Sequence, residues 1–173
     1  MADAYIVAAK RTAGGRKNGA LAGWHPANLG AQVLNAIVKE TGIDPAAVED
    51  VIMGCVTQAG EQAGQVGRTC VMASDLPDSV PAVTIDRQCG SSQQSIQFAA
   101  QAVMSGTQDV VIAAGIESMS HCPMGLNFQA GKVMDIPTDP TPKNLKEKYG
   151  IRGFSQFAGA EMIAKKHGHT KEM

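Results

Sequence analysis

Four cysteines, Cys55, Cys70, Cys89 and Cys122, are the residues here best suited to covalent chemistry, and they stand 15, 19 and 33 positions apart. No Cys-x-x-Cys occurs and no His lies at ligand spacing, so the set predicts neither a zinc site nor a disulfide framework, and no metal is assigned. Cys89 is set apart by its neighbours. It follows an apolar run at 82–87 that reads as a strand, and the small residues Gly90, Ser91 and Ser92 lead from it into a helix ending near Met104. In that helix Ile96, Ala99, Ala100 and Val103 recur at i, i+3, i+4 and i+7. A sulfur at such a helix start meets unpaired N–H groups and the positive end of the macrodipole, which favour thiolate over thiol. The same N–H groups can hold the oxygen of a tetrahedral intermediate. The chemistry predicted is attack on a carbonyl, with Cys89 as the catalytic nucleophile. The plainer alternative, a free Cys acting as a small inert hydrophobe, also stands on spacing alone. Cys55, in a strand, and Cys70, in a helix body, suit that plainer role, while Cys122, before Pro123, reads as a loop residue exposed to solvent.

The elements that must position Cys89 can be read around it. Residues 4–11, AYIVAAKR, predict a strand that ends in the turn GGRKNG at 14–19. From Pro26, Leu29, Val33, Leu34, Ile37 and Val38 follow a helical period, with Gly42 as the stop. Asp44-Pro45 predicts a capped short helical turn, 50–57 a buried strand, 58–67 a loop and 66–74 a helix. The strand before Cys89, its helix and a strand at 110–114 form a βαβ unit, so the class is α/β with helices on both faces of the sheet. The stretch from Gln88 to Gly131 contains only Asp109 and Glu117 as charged residues. An exposed helix usually carries more, so the helix after Cys89 is expected to be central and covered on both faces. Residues 120–153, rich in Pro and Gly, read as an extended loop region, and a last helix runs from Ser155, its cap, to His167, ended by Gly168. His167 and His169, beside Lys165 and Lys166, read as a solvated helix end rather than ligands.

Composition removes other classes. The chain has 173 residues, 44% hydrophobic and 18% charged, with a net charge of −1. That is enough apolar surface to fold as a domain and too little charge asymmetry to expect a nucleic acid or an anionic membrane as partner. The N-terminal apolar run Ala4 to Ala9 is too short for a signal-peptide core or a membrane span, so the expectation is a cytoplasmic protein. The Gly-rich loop 58–67 matches neither G-x-G-x-x-G nor the Walker pattern and reads as a structural turn.

Three segments resemble one family. IDRQCGSSQQSI at 85–96 is similar to the nucleophile segment of the thiolases, GIESMS at 115–120 to their Glu-Ser-Met-Ser signature, and KRTAGGRKNGALAG at 10–23 to their N-terminal Arg-Thr loop. Their order and spacing, with GCVTQAGEQAGQVGR at 54–68 in between, also match, and the resemblance extends over essentially the whole chain. Ser92 stands where the family commonly has Gly, and Ala13 where it commonly has Pro. Thiolases are roughly twice this length, in keeping with the division of large chains into domains. The resemblance therefore covers an N-terminal half, without the second Cys, the His and the Asn-Glu-Ala-Phe segment that complete a thiolase site.

The resemblance implies a mixed sheet with helices on both faces and a buried central helix after Cys89. It assigns residues 1–119 to the core and 120–173 to the start of a loop domain that contacts coenzyme A. It implies that Cys89 accepts an acyl group from an acyl-CoA and passes it on, in thiolysis of a 3-oxoacyl-CoA or in the reverse Claisen condensation. A backbone N–H at Cys89 would serve one oxyanion site. Coenzyme A enters as substrate, with no covalently bound cofactor, and the protein is expected to form homodimers or homotetramers and to need the C-terminal half for a complete site. Gln93, Gln94 and Gln97 resemble the helix start of thiolases that degrade bulky acyl chains. A ketosynthase-like condensing enzyme, or a non-catalytic acyl-binding half, are the alternative readings.

Overall fold

A computed structural model describes residues 3–173. They divide into two compact units, residues 3–130 and residues 131–173. In the first, a helix α1 (Pro26–Thr41) is followed by a 3₁₀ turn at Pro45–Ala47, strand β1 (Asp50–Gly54), a 3₁₀ turn at Gly60–Gln62, helix α2 (Val66–Met72), strand β2 (Ala82–Ile85), helix α3 (Ser91–Ser105) and strand β3 (Val111–Gly115). Helix α4 (Leu126–Val133) follows, then α5 (Lys143–Tyr149) and α6 (Gln156–His167).

The helix ends follow from local chemistry. His25 caps α1 by accepting from the Ala27 N–H, Pro26 occupies the first turn, and Gly42 ends the helix in a left-handed conformation. Asp44 accepts from the Ala46 N–H to open the turn at Pro45. Ser155 accepts from the Ala158 N–H at the start of α6, and Gly168 closes it.

The sheet has the order β2-β1-β3 and both pairings are parallel. Helices α2 and α3 connect consecutive strands, and a crossover of that kind returns the chain in the same direction. The α/β class is as expected, but the sheet is parallel rather than mixed. The 4–11 run has strand composition and forms no strand: Tyr5, Ile6 and Val7 are 79%, 78% and 85% exposed. Propensity for a pleated surface becomes a strand only when a neighbour accepts the backbone bonds, and none of the described strands does so.

Alternation along β1 assigns a face to each helix. Met53 lies under α1 and α2: a Cβ added at Gly67 of α2 would sit 2.8 Å from the Met53 Cβ, and one at Gly30 of α1 would sit 4.0 Å from the Met53 Cε. The next residue, Gly54, points to the opposite face and meets α3. The first face holds the core, built from Ala27, Leu34, Val51, Met53, Val66, Cys70 and Val71 with Leu76 and Val80. The α1–α2 contact is close because Gly30 lacks a Cβ; one there would lie 2.5 Å from the Cys70 Sγ.

Helix α3 departs from expectation on its outer side. Gln94, Ser95 and Ala99 are buried, while Ile96, Phe98 and Met104 are 48%, 39% and 38% exposed, so only one face is covered within residues 3–130. A scarcity of charge marks a surface that avoids water but does not supply the atoms to cover it. The region expected as an extended loop, 120–153, also contains α4 and α5. Helix α5 has no buried residue and carries Lys143, Lys146 and Lys148, so no apolar period announces it.

Candidate active site

The carboxyl ends of the three parallel strands lie at one edge of the sheet, where ligands of α/β proteins tend to bind. β1 ends at Gly54, β2 ends at Ile85 and is followed by Asp86, Arg87 and Gln88 before Cys89, and β3 ends at Gly115, followed by Glu117. Cys89 is the exposed member of four free cysteines; Cys55, Cys70 and Cys122 are buried. Burial, with a smaller contribution from the Glu117 carboxylate, pushes the Cys55 thiol up to about 12, and burial pushes the Cys70 thiol up to about 12. Both are therefore poor nucleophiles near neutrality, as expected for packing residues. Cys122 corrects the sequence reading: it is fully buried, its Sγ directed at the Ala59 carbonyl at 3.2 Å, because the chain after Ser120 folds back over the 59–60 loop instead of entering solvent.

The turn that carries Cys89 is tightly bonded. The Gly90 N–H donates to the Arg87 carbonyl at 3.1 Å and the Ser91 N–H to the Gln88 carbonyl at 3.0 Å. Gln88 has φ 49°, a left-handed conformation that costs a residue with a Cβ on the order of 1–3 kcal/mol unless its surroundings impose it. The cap residue of α3 is Gly90, which has no side chain to accept a bond, and the ladder opens with the Gln94 N–H donating to the Gly90 carbonyl at 2.9 Å. The first-turn N–H groups thus have no side-chain acceptor at the cap, which is the electrostatic setting predicted beside Cys89.

Two glycines let α3 start so close to the sheet. Gly54 and Gly115 are register partners across β1 and β3. A Cβ at Gly54 would fall 2.6 Å from the Ser91 carbonyl carbon and from the Ser92 nitrogen, and one at Gly115 would fall 2.8 Å from the Ser92 Cβ. The helix stub after Cys89 rests on bare backbone, and Ser92, in place of the family's usual Gly, is accommodated because Gly115 has no side chain.

At the same end of the sheet, after β1 and β3, lies a polar cluster that the reading of Cys89 did not include. Glu117 accepts from the Val56 N–H at 2.8 Å, the Thr57 N–H at 3.2 Å and the Gln62 side-chain amide at 3.1 Å. Gln62, completely buried, also donates to the Thr57 carbonyl at 2.8 Å and accepts from the Ser118 N–H at 2.6 Å. The cluster ties the segment after β1 to the segment after β3. A further clamp runs through His121, whose Nδ1 lies 2.6 Å from the Glu61 carboxylate and whose Nε2 lies 2.6 Å from the Ala22 carbonyl. Both partners are acceptors, so the doubly protonated ring satisfies both, and its pKa is raised by the Ala22 bond first and the Glu61 bond second. The signal available in the sequence was Glu117 itself, one of two charges in a long uncharged stretch.

Cys89 thus stands exposed just ahead of α3, at the carboxyl end of a parallel α/β sheet. The model of the thiolase N-terminal domain matches residues 4–173, and the chain belongs to that family. It is 48% identical over 174 residues to the steroid 3-ketoacyl-CoA thiolase FadA6 of Mycobacterium tuberculosis, covering 99% of this chain and 42% of that protein. To the 3-ketoacyl-CoA thiolase FadA of Escherichia coli it is 34% identical over 177 residues, covering 100% of this chain and 42% of that protein. The chain thus spans less than half the length of the curated relatives it matches. Among solved structures it is similar to the Bacillus anthracis acetyl-CoA acetyltransferase, at TM-score 0.59 and 39% identity, over 63% of this chain and 27% of that one.

Proposed function

We propose that this chain carries the nucleophile half of an acyl-CoA acyltransferase, and that Cys89 is the catalytic residue. The observation that supports the reading is the exposed Cys89 thiol at the start of α3, in a segment similar to the thiolase nucleophile segment, while the other three cysteines are buried. In the step proposed, the Cys89 thiolate attacks the carbonyl carbon of an acyl donor. The oxygen takes the negative charge of the tetrahedral intermediate beside the Cys89 N–H and the helix start. The donor's leaving group departs, and a second acceptor removes the acyl group from sulfur. Exchange of one thioester for another is nearly isoergic, so the acyl group remains activated between the two half-reactions. Thiolysis of a 3-oxoacyl-CoA and the reverse Claisen condensation are the two directions of this chemistry.

Coenzyme A is then a substrate, with no cofactor held covalently. The domain division proposed is a core at 1–119 and the start of a coenzyme-contacting loop domain at 120–173. The remainder of the site is supplied by the C-terminal half of a longer thiolase, in a homodimer or homotetramer of the cytoplasm. The similarity to a relative named for steroid 3-ketoacyl-CoA, together with Gln93, Gln94 and Gln97 at the start of α3, supports a bulky acyl chain as substrate. In the described residues no helix is long and apolar enough to cross a membrane.

The test is acetylation by acetyl-CoA of the full-length protein that contains this chain, followed by peptide mass analysis. The acetyl group should reside on the peptide bearing Cys89 and vanish in Cys89→Ala. Acetylation that survives the substitution overturns the reading.

A further inference from the structure

Two side chains grip the turn before Cys89, and we infer that they are positioning residues for the nucleophile: the Asp86 carboxylate and the Ser91 hydroxyl hold Gln88 left-handed and thereby aim the Cys89 peptide. The inference rests on the acyl-transfer reading above. Gln88, at φ 49°, is neither Gly nor Asn, so its conformation must be imposed by neighbours. The neighbours are on hand. Asp86 Oδ1 accepts from the Gln88 N–H at 2.6 Å, and the Gln88 side-chain amide folds back to Asp86 Oδ2 at 3.1 Å. From the other side the Ser91 hydroxyl accepts from the Arg87 N–H at 2.9 Å and donates to the Gln88 carbonyl at 2.6 Å.

The geometry reaches Cys89 through one rigid plane. The Gln88 carbonyl and the Cys89 N–H belong to the same peptide group, which is planar and trans. The Gln88 carbonyl is fixed twice, by the Ser91 hydroxyl and by the Ser91 N–H. Fixing the carbonyl fixes the direction of the Cys89 N–H on the opposite side of the plane, the group proposed to meet the developing oxyanion. Ser91 itself is 5% exposed and packed where α3 crosses Gly54. Asp86 fixes the peptide on the other side of Gln88. Neither side chain needs to touch the substrate; each acts by restricting the backbone that carries the nucleophile.

The experiment uses the full-length protein with Asp86→Ala, Asp86→Asn and Ser91→Ala. Three readouts are taken: kcat and KM for acyl transfer, formation of the Cys89 acyl-enzyme, and hydrogen exchange of the Gln88 amide. Asp86 is exposed, so its variants fold even where Ser91→Ala weakens the start of α3. Asp86→Ala should speed exchange at Gln88 and lower kcat roughly tenfold, within the about 100-fold that a 1 Å misplacement can cost, with KM unchanged. Asp86→Asn, whose Oδ1 still accepts, should restore both. Faster exchange with unchanged kcat overturns the inference, as does an Asn variant as impaired as the Ala variant. A parent protein that forms no acyl-enzyme at Cys89 overturns the acyl-transfer reading instead, and the exchange series separates that failure from a failure of the grip.

Discussion

The contact between Gly115 and Ser92 yields a prediction whose size and sign can both be worked out. A methyl group introduced by Gly115→Ala would place its carbon 2.8 Å from the Ser92 Cβ. Carbon atoms at rest sit about 3.5–4.0 Å apart, so roughly 0.7 Å or more must be found by moving α3 off the sheet. Neither atom is the tip of a flexible side chain, and no rotamer change relieves the clash. Overpacking of this kind costs about 1–3 kcal/mol. The relief is specific: in the double variant with Ser92→Gly, the nearest remaining neighbour of the new methyl is the Gly54 carbonyl oxygen at 3.5 Å, an ordinary contact. Ser92→Gly alone should cost no more than about 0.5 kcal/mol through helix propensity. Urea unfolding of the parent, both single variants and the double variant measures the coupling directly. The Gly115→Ala penalty should largely disappear in the Ser92→Gly background, leaving a coupling of about 1 kcal/mol or more. Additive effects would refute the claim that α3 is seated on Gly115. The same displacement moves the helix start next to Cys89, so Gly115→Ala should slow acyl-enzyme formation by up to about 100-fold, with recovery in the double variant.

Other expectations can be checked as directly. Iodoacetamide at about pH 8 should label Cys89 first, because Cys55, Cys70 and Cys122 are buried and the first two of these titrate at about 12; earlier capture at Cys122, read by peptide mapping, would count against the site. Glu117→Ala removes the acceptor of the Val56 and Thr57 N–H groups and of the buried Gln62 amide, and should destabilise the fold by about 1–3 kcal/mol in urea, with Glu117→Gln milder because one oxygen remains. The His121 contribution has a definite sign: its pKa is raised on folding, so the stability it adds is complete below the unfolded value of about 6.5 and is lost as pH climbs through the folded value. Thermal midpoints of the parent should therefore fall relative to His121→Ala as pH rises through that window, and parallel curves would remove the clamp from consideration.

What could be read from the sequence follows from the range over which each signal acts. Gly42, Gly168, Ser155 and the Asp44-Pro45 pair were legible because a cap is settled within four residues, by whether a carbonyl or N–H finds a partner and whether φ can turn positive. The turn at Cys89 was legible for the same reason: strand, small residues and helical period are contiguous. The run Tyr5-Ile6-Val7 shows the opposite case. Its composition is strand-like, yet whether it pairs is decided by a partner that the run itself does not encode, and here it lies exposed. Helix α5 escaped notice because seven residues with lysines on several sides carry no apolar stripe, leaving only Gly150 as a stop. The Glu117 cluster required contacts some sixty positions apart, from Val56 and Thr57 to Glu117, and its sole local trace was one carboxylate in a stretch whose one other charge is Asp109. Such a carboxylate is held where its oxygens replace a missing ladder of strand bonds, and this makes Glu117 more informative than a Glu on a charged surface. The exposed side of α3 carries the same lesson in reverse: the scarcity of charge around Ile96, Phe98 and Met104 led to the expectation of cover on both faces, yet residues 3–130 cover only one, because composition does not specify which atoms pack against a helix.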